Sequence, residues 1–231
     1  MFSTDELLER YPRHTEPTLR VNFIASADGA ATVDGKSAGL GGPGDKQIFD
    51  TLRMTCDALV VAAGTVRAEN YDALRLDEPG RAWRRTQGLP EFPLMVVVSA
   101  SLELDPAQLV FVDAPIRPLV VTRKGGTPPP GLADVAEIIE VGDDAVDLAA
   151  MVAGLHARGA TQLLCEGGPH LLGALVAADL IDELCLTVSP VLTGGGAGRI
   201  ATGPDGPPRR MALRSVLSRE DMLFLRYARS R

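Results

Sequence analysis

Three stretches of this chain carry residue types that do chemistry at spacings that matter. Ala30 to Ser37 reads A-x-x-x-x-G-K-S, the relaxed pattern of a loop whose backbone N–H groups wrap nucleotide phosphates. AGTVRAEN (63–70) directly follows the apolar run ALVVA, and CEGGPHLLGAL (165–175) directly follows QLL. Each of the last two puts glycine and a polar or acidic residue where a strand hands over to a helix, and such a corner suits an anionic ligand.

The first pattern lacks the context it needs. A phosphate loop must run straight into a helix, but Ser37 is followed by AGLGGPG, four glycines and a proline in seven residues. Asp34 would set a carboxylate against the phosphates, and Thr32 and Val33 are β-branched and resist the required turn. The runs VVVS and LVVT end in hydroxyls rather than in an acidic magnesium ligand. The match is read as chance. The strand 21–26, the Asp28-Gly29 turn pair and the glycine-rich excursion 30–42 instead form one end of a strand, where open α/β sheets bind ligands.

The two corners are more promising. Gly64 permits a sharp exit, and Thr65 can cap a short helix while offering its hydroxyl to a phosphate. Gly167 and Gly168 let a ligand approach the backbone, and Pro169 fits the first helical position. Neither corner is G-x-G-x-x-G, so the usual dinucleotide fingerprint is absent. Two such corners in one chain point to an extended ligand with two phosphates. Glu166, a strand-end carboxylate before a glycine pair, can accept an N–H from a heterocycle.

The elements that must position these residues follow from the apolar pattern. Strands are expected at 19–26, 58–63, 93–100, 118–122, 137–141, 162–166, 182–190 and 222–228. Several are nearly continuous Val, Leu and Ile, as in a sheet covered on both faces. Helices are expected over 45–54, with Ile48, Phe49 and Leu52 inward, and from Pro169. Another is expected over 145–156, with Ala145, Leu148, Ala149, Val152 and Leu155 on one face. Alternating strands and helices imply a largely parallel sheet. The Gly/Pro-rich segment 193–210 excludes a helix, so the sheet should finish in an antiparallel edge pair. The stretches 76–93 and 128–131 read as loops, and no linker divides the 231 residues.

Composition narrows the function classes. A net charge of −7 argues against broad nucleic-acid binding and against an anionic membrane surface. Three scattered cysteines, Cys56, Cys165 and Cys185, with no C-x-x-C pair, read as buried thiols rather than a disulfide framework or metal site. No apolar run reaches membrane-spanning length and the N-terminus lacks a signal-peptide core, so a cytoplasmic location is expected.

In order and content, NFIASADG (22–29), LRMTCDALVVAAGTVRAEN (52–70) and CEGGPHLLGALVAADLIDELCLTVSPVLTGGG (165–196) resemble the reductase domain of the bifunctional riboflavin-biosynthesis deaminase–reductase. That domain shares the dihydrofolate reductase fold. The resemblance implies one domain over 1–231 with 1–17 as an N-terminal extension. It implies a mostly parallel central sheet with helices on both faces, and an antiparallel C-terminal edge pair. It also implies NADPH-dependent reduction of a ribosylamino-pyrimidine 5′-phosphate, with hydride passing to the sugar C1′ and the ribose opening to a ribityl chain.

By position, Thr65 and Glu69 should contact the cofactor, and Gly167, Gly168, Pro169, His170 and Leu171 its phosphates. Ser99 and Arg123 should meet its adenosine half, the arginine favouring NADPH over NADH. Ser37, Arg53 and Arg75 should hold the substrate, with Lys36 a further phosphate ligand. Glu166 should bind the pyrimidine, and either Asp28 or Glu166 should handle the proton. No metal is expected, and a homodimer is. The chain has Glu69-Asn70-Tyr71-Asp72 where the family has a D/N-P turn, and it lacks the zinc deaminase signature H-x-E with P-C-x-x-C. The alternatives are a pterin reductase on the same scaffold, a phosphate-loop nucleotide-binding enzyme, and a nucleotide-binding regulator without turnover.

Overall fold

The uninterrupted Val/Leu/Ile runs become the buried strands of a mostly parallel α/β arrangement. The computed structural model describes residues 1–69 and 71–230. In chain order it contains α1 (Thr4–Arg10), β1 (Thr18–Ser26), a 3₁₀ turn (Ser37–Leu40), α2 (Pro43–Thr55), β2 (Ala58–Ala62), α3 (Ala63–Ala68), α4 (Glu78–Thr86) and β3 (Leu94–Val98). Then come α5 (Leu109–Val112), β4 (Leu119–Thr122), α6 (Leu132–Val135), β5 (Glu137–Glu140), α7 (Leu148–Ala157) and β6 (Gln162–Cys165). The chain finishes with α8 (Pro169–Ala177), β7 (Glu183–Ser189), β8 (Met211–Arg219) and β9 (Met222–Arg229). Two units can be distinguished, one made of Met1–Leu52 with Cys165–Arg231 and one of Arg53–Leu164.

In the first unit the strand order is β1-β7-β9-β8. β1 and β7 are parallel, with Ser26 beside Ser189 at their carboxyl ends, and β9 is antiparallel to both β7 and β8. A buried ionic cluster ties β1, β7 and β9 together near their other end. Arg20 lies 2.7 Å and Arg226 2.6 Å from Glu183, and His14 Nε2 is 3.1 Å away. Burial alone would raise the Glu183 carboxyl, but His14 and the two guanidiniums outweigh it and hold it down at about 2. The N-terminal residues are part of this packing: Phe2 meets Phe224 edge-on at 5.7 Å and Tyr11 is buried.

In the second unit the order is β5-β4-β3-β2-β6, with β2 to β5 parallel. Nearly every residue of β2, β3, β4 and β6 is buried. Asp57 fixes the entry of β6, accepting from the N–H of Gln162 at 2.8 Å and from the Thr161 hydroxyl at 3.1 Å.

Four expectations need correction. The stretch 76–93 is not all loop, because α4 forms within it. Asp77 caps α4 by accepting from Gly80 N–H at 2.8 Å, and Glu78 pairs with Arg81 and Arg85. Its only fully buried long side chain is a cation, so no apolar stripe announces it: Arg84 donates to the carbonyls of Pro90, Met54 and Cys56. Second, the edge strand is β8, unrecognised because most of its residues are exposed and a register shift at Leu213/Ser215 breaks its alternation. Third, α7 starts at Leu148 behind the Asp147 cap, and its buried face is Met151, Val152 and Leu155, leaving Ala145 and Ala149 exposed. Fourth, β2 stops at Ala62, since Ala63 already belongs to α3.

Candidate active site

In the first unit the carboxyl ends of β1 and β7 and the segment that starts at Cys165 carry a polar set. Asp28 sits in the turn after β1, where Gly29 adopts a left-handed φ of 91°. The Ser26 hydroxyl donates to Asp28 Oδ1, and the N–H groups of Gly194 and Thr193 donate to Oδ2 at 2.8 and 3.1 Å. Led by the Ser26 hydroxyl and the Gly194 amide, these donors pull the exposed Asp28 carboxyl down to about 2. Asp28 is therefore an anion that ties the loop after β7 to the turn after β1.

The A-x-x-x-x-G-K-S stretch is a hairpin. Val33 and Lys36 exchange both backbone hydrogen bonds, at 2.9 and 3.0 Å, across Asp34 (φ 50°) and Gly35 (φ 78°). Two successive left-handed residues make the tight hairpin turn that twisted strands favour, and only the four-residue 3₁₀ turn follows. The α-helix that a phosphate loop needs directly after Ser37 is missing, since α2 begins at Pro43. Lys36 is exposed and Ser37 half-buried.

The corner after β6 is tighter. Glu166 is half-buried, Gly167 has φ 116°, the Gly167–Gly168 peptide is cis, and both glycines are buried. Gly168 is the residue preceding α8, and Pro169 opens the helix as its sequence position requires. The first intrahelical bond runs from Leu172 N–H to Gly168 C=O at 3.0 Å, so the amides of His170 and Leu171 are first-turn donors with no acceptor inside the helix. Those amides, with a side-chain-free residue before them, fit a pyrophosphate.

Sequence reasoning passed over Asp45. It lies near the start of α2, accepts from the Thr187 hydroxyl of β7 at 2.7 Å, and is raised above the ordinary carboxylate range. Burial is the main cause, the Thr187 bond opposes it, and the charge of Glu166 adds to it. The signal available was an acid in the first turn of an otherwise amphipathic helix, which by itself reads only as a favourable helix-dipole contact.

In the second unit the corner after β2 differs from expectation. α3 begins at Ala63 with Ala62 as its cap residue, so Thr65 lies inside the helix rather than capping it, and its carbonyl accepts from Glu69 N–H at 3.0 Å. Thr65 and Glu69 are half-buried; Asn70 lies outside the described residues. Arg53, at the end of α2, donates to the Tyr71 hydroxyl at 2.5 Å with its guanidinium 5.2 Å from that ring's centre. Arg75 makes a fork to Asp113, Nε and Nη2 each 2.8 Å from a carboxylate oxygen. The Ser99 hydroxyl is buried and accepts from Leu102 N–H at 3.0 Å, while Arg123 follows β4 and donates to the Lys124 carbonyl at 3.3 Å. Among the described residues no three His, Cys, Asp or Glu side chains are grouped to hold a metal, and no helix is long and apolar enough to cross a membrane.

Residues 17–223 match the model of the RibD C-terminal domain. A 2,5-diamino-6-ribosylamino-4(3H)-pyrimidinone 5′-phosphate reductase of Archaeoglobus fulgidus is 30% identical over 183 residues, 78% of this chain and 83% of the relative. The reductase of the same name from Methanothermobacter thermautotrophicus is 29% identical, covering 82% and 85%. Among solved structures, a pyrimidine reductase-like protein of Corynebacterium diphtheriae superposes with a TM-score of 0.85 at 26% identity over 100% of both chains.

Proposed function

The chain belongs to the RibD C-terminal domain family, and from that membership we propose that it is an NADPH-dependent reductase of a ribosylamino-pyrimidine 5′-phosphate in riboflavin biosynthesis. The observation that carries this reading is the corner after β6, where a half-buried carboxylate, a side-chain-free bend and the two first-turn amides of α8 follow one another. Gly167, Gly168 and the amides of His170 and Leu171 take the cofactor's phosphates, with Thr65, Glu69, Ser99 and Arg123 as further contacts. Bound there, the cofactor supplies a hydride for the sugar C1′.

The chain's own groups do the rest. Glu166 accepts an N–H of the pyrimidine and so fixes the ring. Opening the ribose breaks the C1′–O4′ bond, and the departing ring oxygen must take a proton. Asp28, held as an anion by its three donors, is a poor source. Asp45 suits the task better, because burial makes it bind its proton more tightly than an ordinary carboxylate, and Glu166, whose charge Asp45 feels, is the group proposed to pass that proton to the substrate. Arg53, Ser37 and Lys36 hold the sugar phosphate. We take residues 1–231 as one reductase domain, and a cytoplasmic homodimer as its setting.

One observation favours a second reading. Arg75, proposed as a second phosphate ligand, is engaged by Asp113, and a site with one phosphate arginine fits a pterin reductase on this scaffold. The deciding assay follows NADPH absorbance with the diamino pyrimidine phosphate, its deaminated form and dihydrofolate, beside parallel NADH runs. Turnover of either phosphate with NADPH is expected. Arg53→Ala should then raise KM about tenfold or more, the scale of a lost charge-assisted phosphate contact, while Arg75→Ala changes it little. Turnover of dihydrofolate alone overturns the pyrimidine assignment.

A further inference from the structure

At the amino ends of β1 and β7, away from Ser26, Asp28 and Ser189, the first unit holds a cavity of about 430 Å³. Small-molecule sites run from about 300 to 1,000 Å³. Its floor is apolar, formed by Val21 of β1, Leu172 and Val176 of α8, and Leu184 of β7. The segment around Ile200 and Ala201 closes one side. That segment is fastened to the start of α8: Thr202 N–H donates to Pro169 C=O at 3.0 Å, and a Cβ at Gly173 would collide with the Thr202 carbonyl. The wall is thus built on the helix backbone itself.

The rim has the opposite character. Arg209, Arg210 and Arg229 line it, with Asp179 as the one carboxylate among the lining residues. Arg229 is fully committed, to Asp179 and to the Ile181 carbonyl at 3.0 Å. Arg209 reaches the same carboxylate at 3.5 Å. Arg210 is exposed and has no side-chain partner among the described residues. Even with Asp182 4.0 Å from Arg229 behind the lining, three guanidiniums against two carboxylates leave a positive surplus here, on a chain whose net charge is −7.

We propose that this cavity is a second small-molecule site, taking an amphipathic anion whose hydrophobic body enters between α8 and β7 and whose carboxylate or sulfonate meets Arg210 and Arg209. A polar pyrimidine or a bare phosphate would leave the apolar floor unmatched, so the ligand class differs from that of the reduction site. The cavity shares α8 with the glycine corner: Leu172 and Val176 line its floor, whereas His170 and Leu171 supply the first-turn amides. Occupancy here therefore touches the helix whose other end is assigned to the cofactor.

The test uses the fluorescence of anilinonaphthalene sulfonate on the full chain, with and without saturating NADPH, and decanoate, decylammonium and decanol as competitors. The expected result is saturable binding of one probe per chain that persists with NADPH and is displaced by decanoate well before decylammonium or decanol. Val176→Trp, which fills the floor, and Arg210→Glu, an exposed change that leaves folding and turnover intact, should each weaken binding at least about tenfold, or 1.4 kcal/mol. Displacement by NADPH, equal competition by decylammonium, or insensitivity to Arg210→Glu overturns the proposal. So does sedimentation in which Val176→Trp changes the association state, because a second copy would then cover the cavity.

Discussion

After β2 and after β6 the chain makes the same move, from a buried strand through a glycine corner into a helix, but it builds the two corners differently. α3 has six residues, no side-chain cap, and a Gly64 whose backbone is ordinary helix with open space where a Cβ would stand. α8 has nine residues, Pro169 at its start, three buried leucines, and before it a Gly167 whose φ of 116° no side-chain-bearing residue adopts comfortably. Glycine marks both corners in sequence, but only the second needs it. The acids differ as well: Glu69 closes its helix, whereas Glu166 precedes one and lies within electrostatic reach of Asp45.

The sharpest way to break this contrast is at the acid. Glu166→Gln should cut kcat by about 10²–10⁴-fold, the usual worth of a positioned proton-transfer group, while leaving the melting temperature close to that of the parent. A loss below about threefold would move the chemistry away from the second corner. The glycines come next. Gly167→Ala should cost about 1–3 kcal/mol through its backbone conformation alone and weaken NADPH binding in titration. Gly64→Ala should instead stabilise by up to about 1 kcal/mol, since alanine replaces glycine in an exposed helix position. Equal effects in urea unfolding would erase the distinction between the corners.

The smallest effect concerns the two aspartates of the first unit, which respond to acid with opposite sign. Asp28 is lowered from 3.8 to about 2, so the stability it contributes is present above pH 3.8 and is lost as pH falls toward 2. Asp45 is raised above 3.8, so its contribution is complete below that value and is lost as pH rises through its folded-state pKa. Urea midpoints across this range should show Asp28→Asn flattening the acid limb and Asp45→Asn stabilising the protein near neutrality. Parallel curves for parent and Asp28→Asn would mean that the ionised carboxylate is not what ties the turn after β1 to Thr193.

How far these features could be read from sequence depended on the range of the forces behind them. The parallel strands were legible because a strand buried on both faces needs an unbroken apolar run, as in 58–62 and 119–122. The start of α8 was legible because proline fits the first helical position locally. β8 and α4 were not, since one is held by pairing with β9 and the other by carbonyls gathered around Arg84. The same limit applies to the site. Asp45 takes its hydrogen bond from Thr187, 142 residues away, and Arg75 is claimed by Asp113, 38 residues away. Charge partners separated like that leave no trace in local spacing.

The three cysteines have a practical consequence. Cys56, Cys165 and Cys185 are all buried, and burial raises the thiols of Cys165 and Cys185 to about 12, far from the thiolate form that alkylating reagents attack. A single cysteine engineered onto the surface would thus be the fast-reacting thiol in the native chain, ready for a dye, a spin label or a tether to a support. The native thiols would report in turn on global unfolding, becoming labelled only when the strands that enclose them come apart.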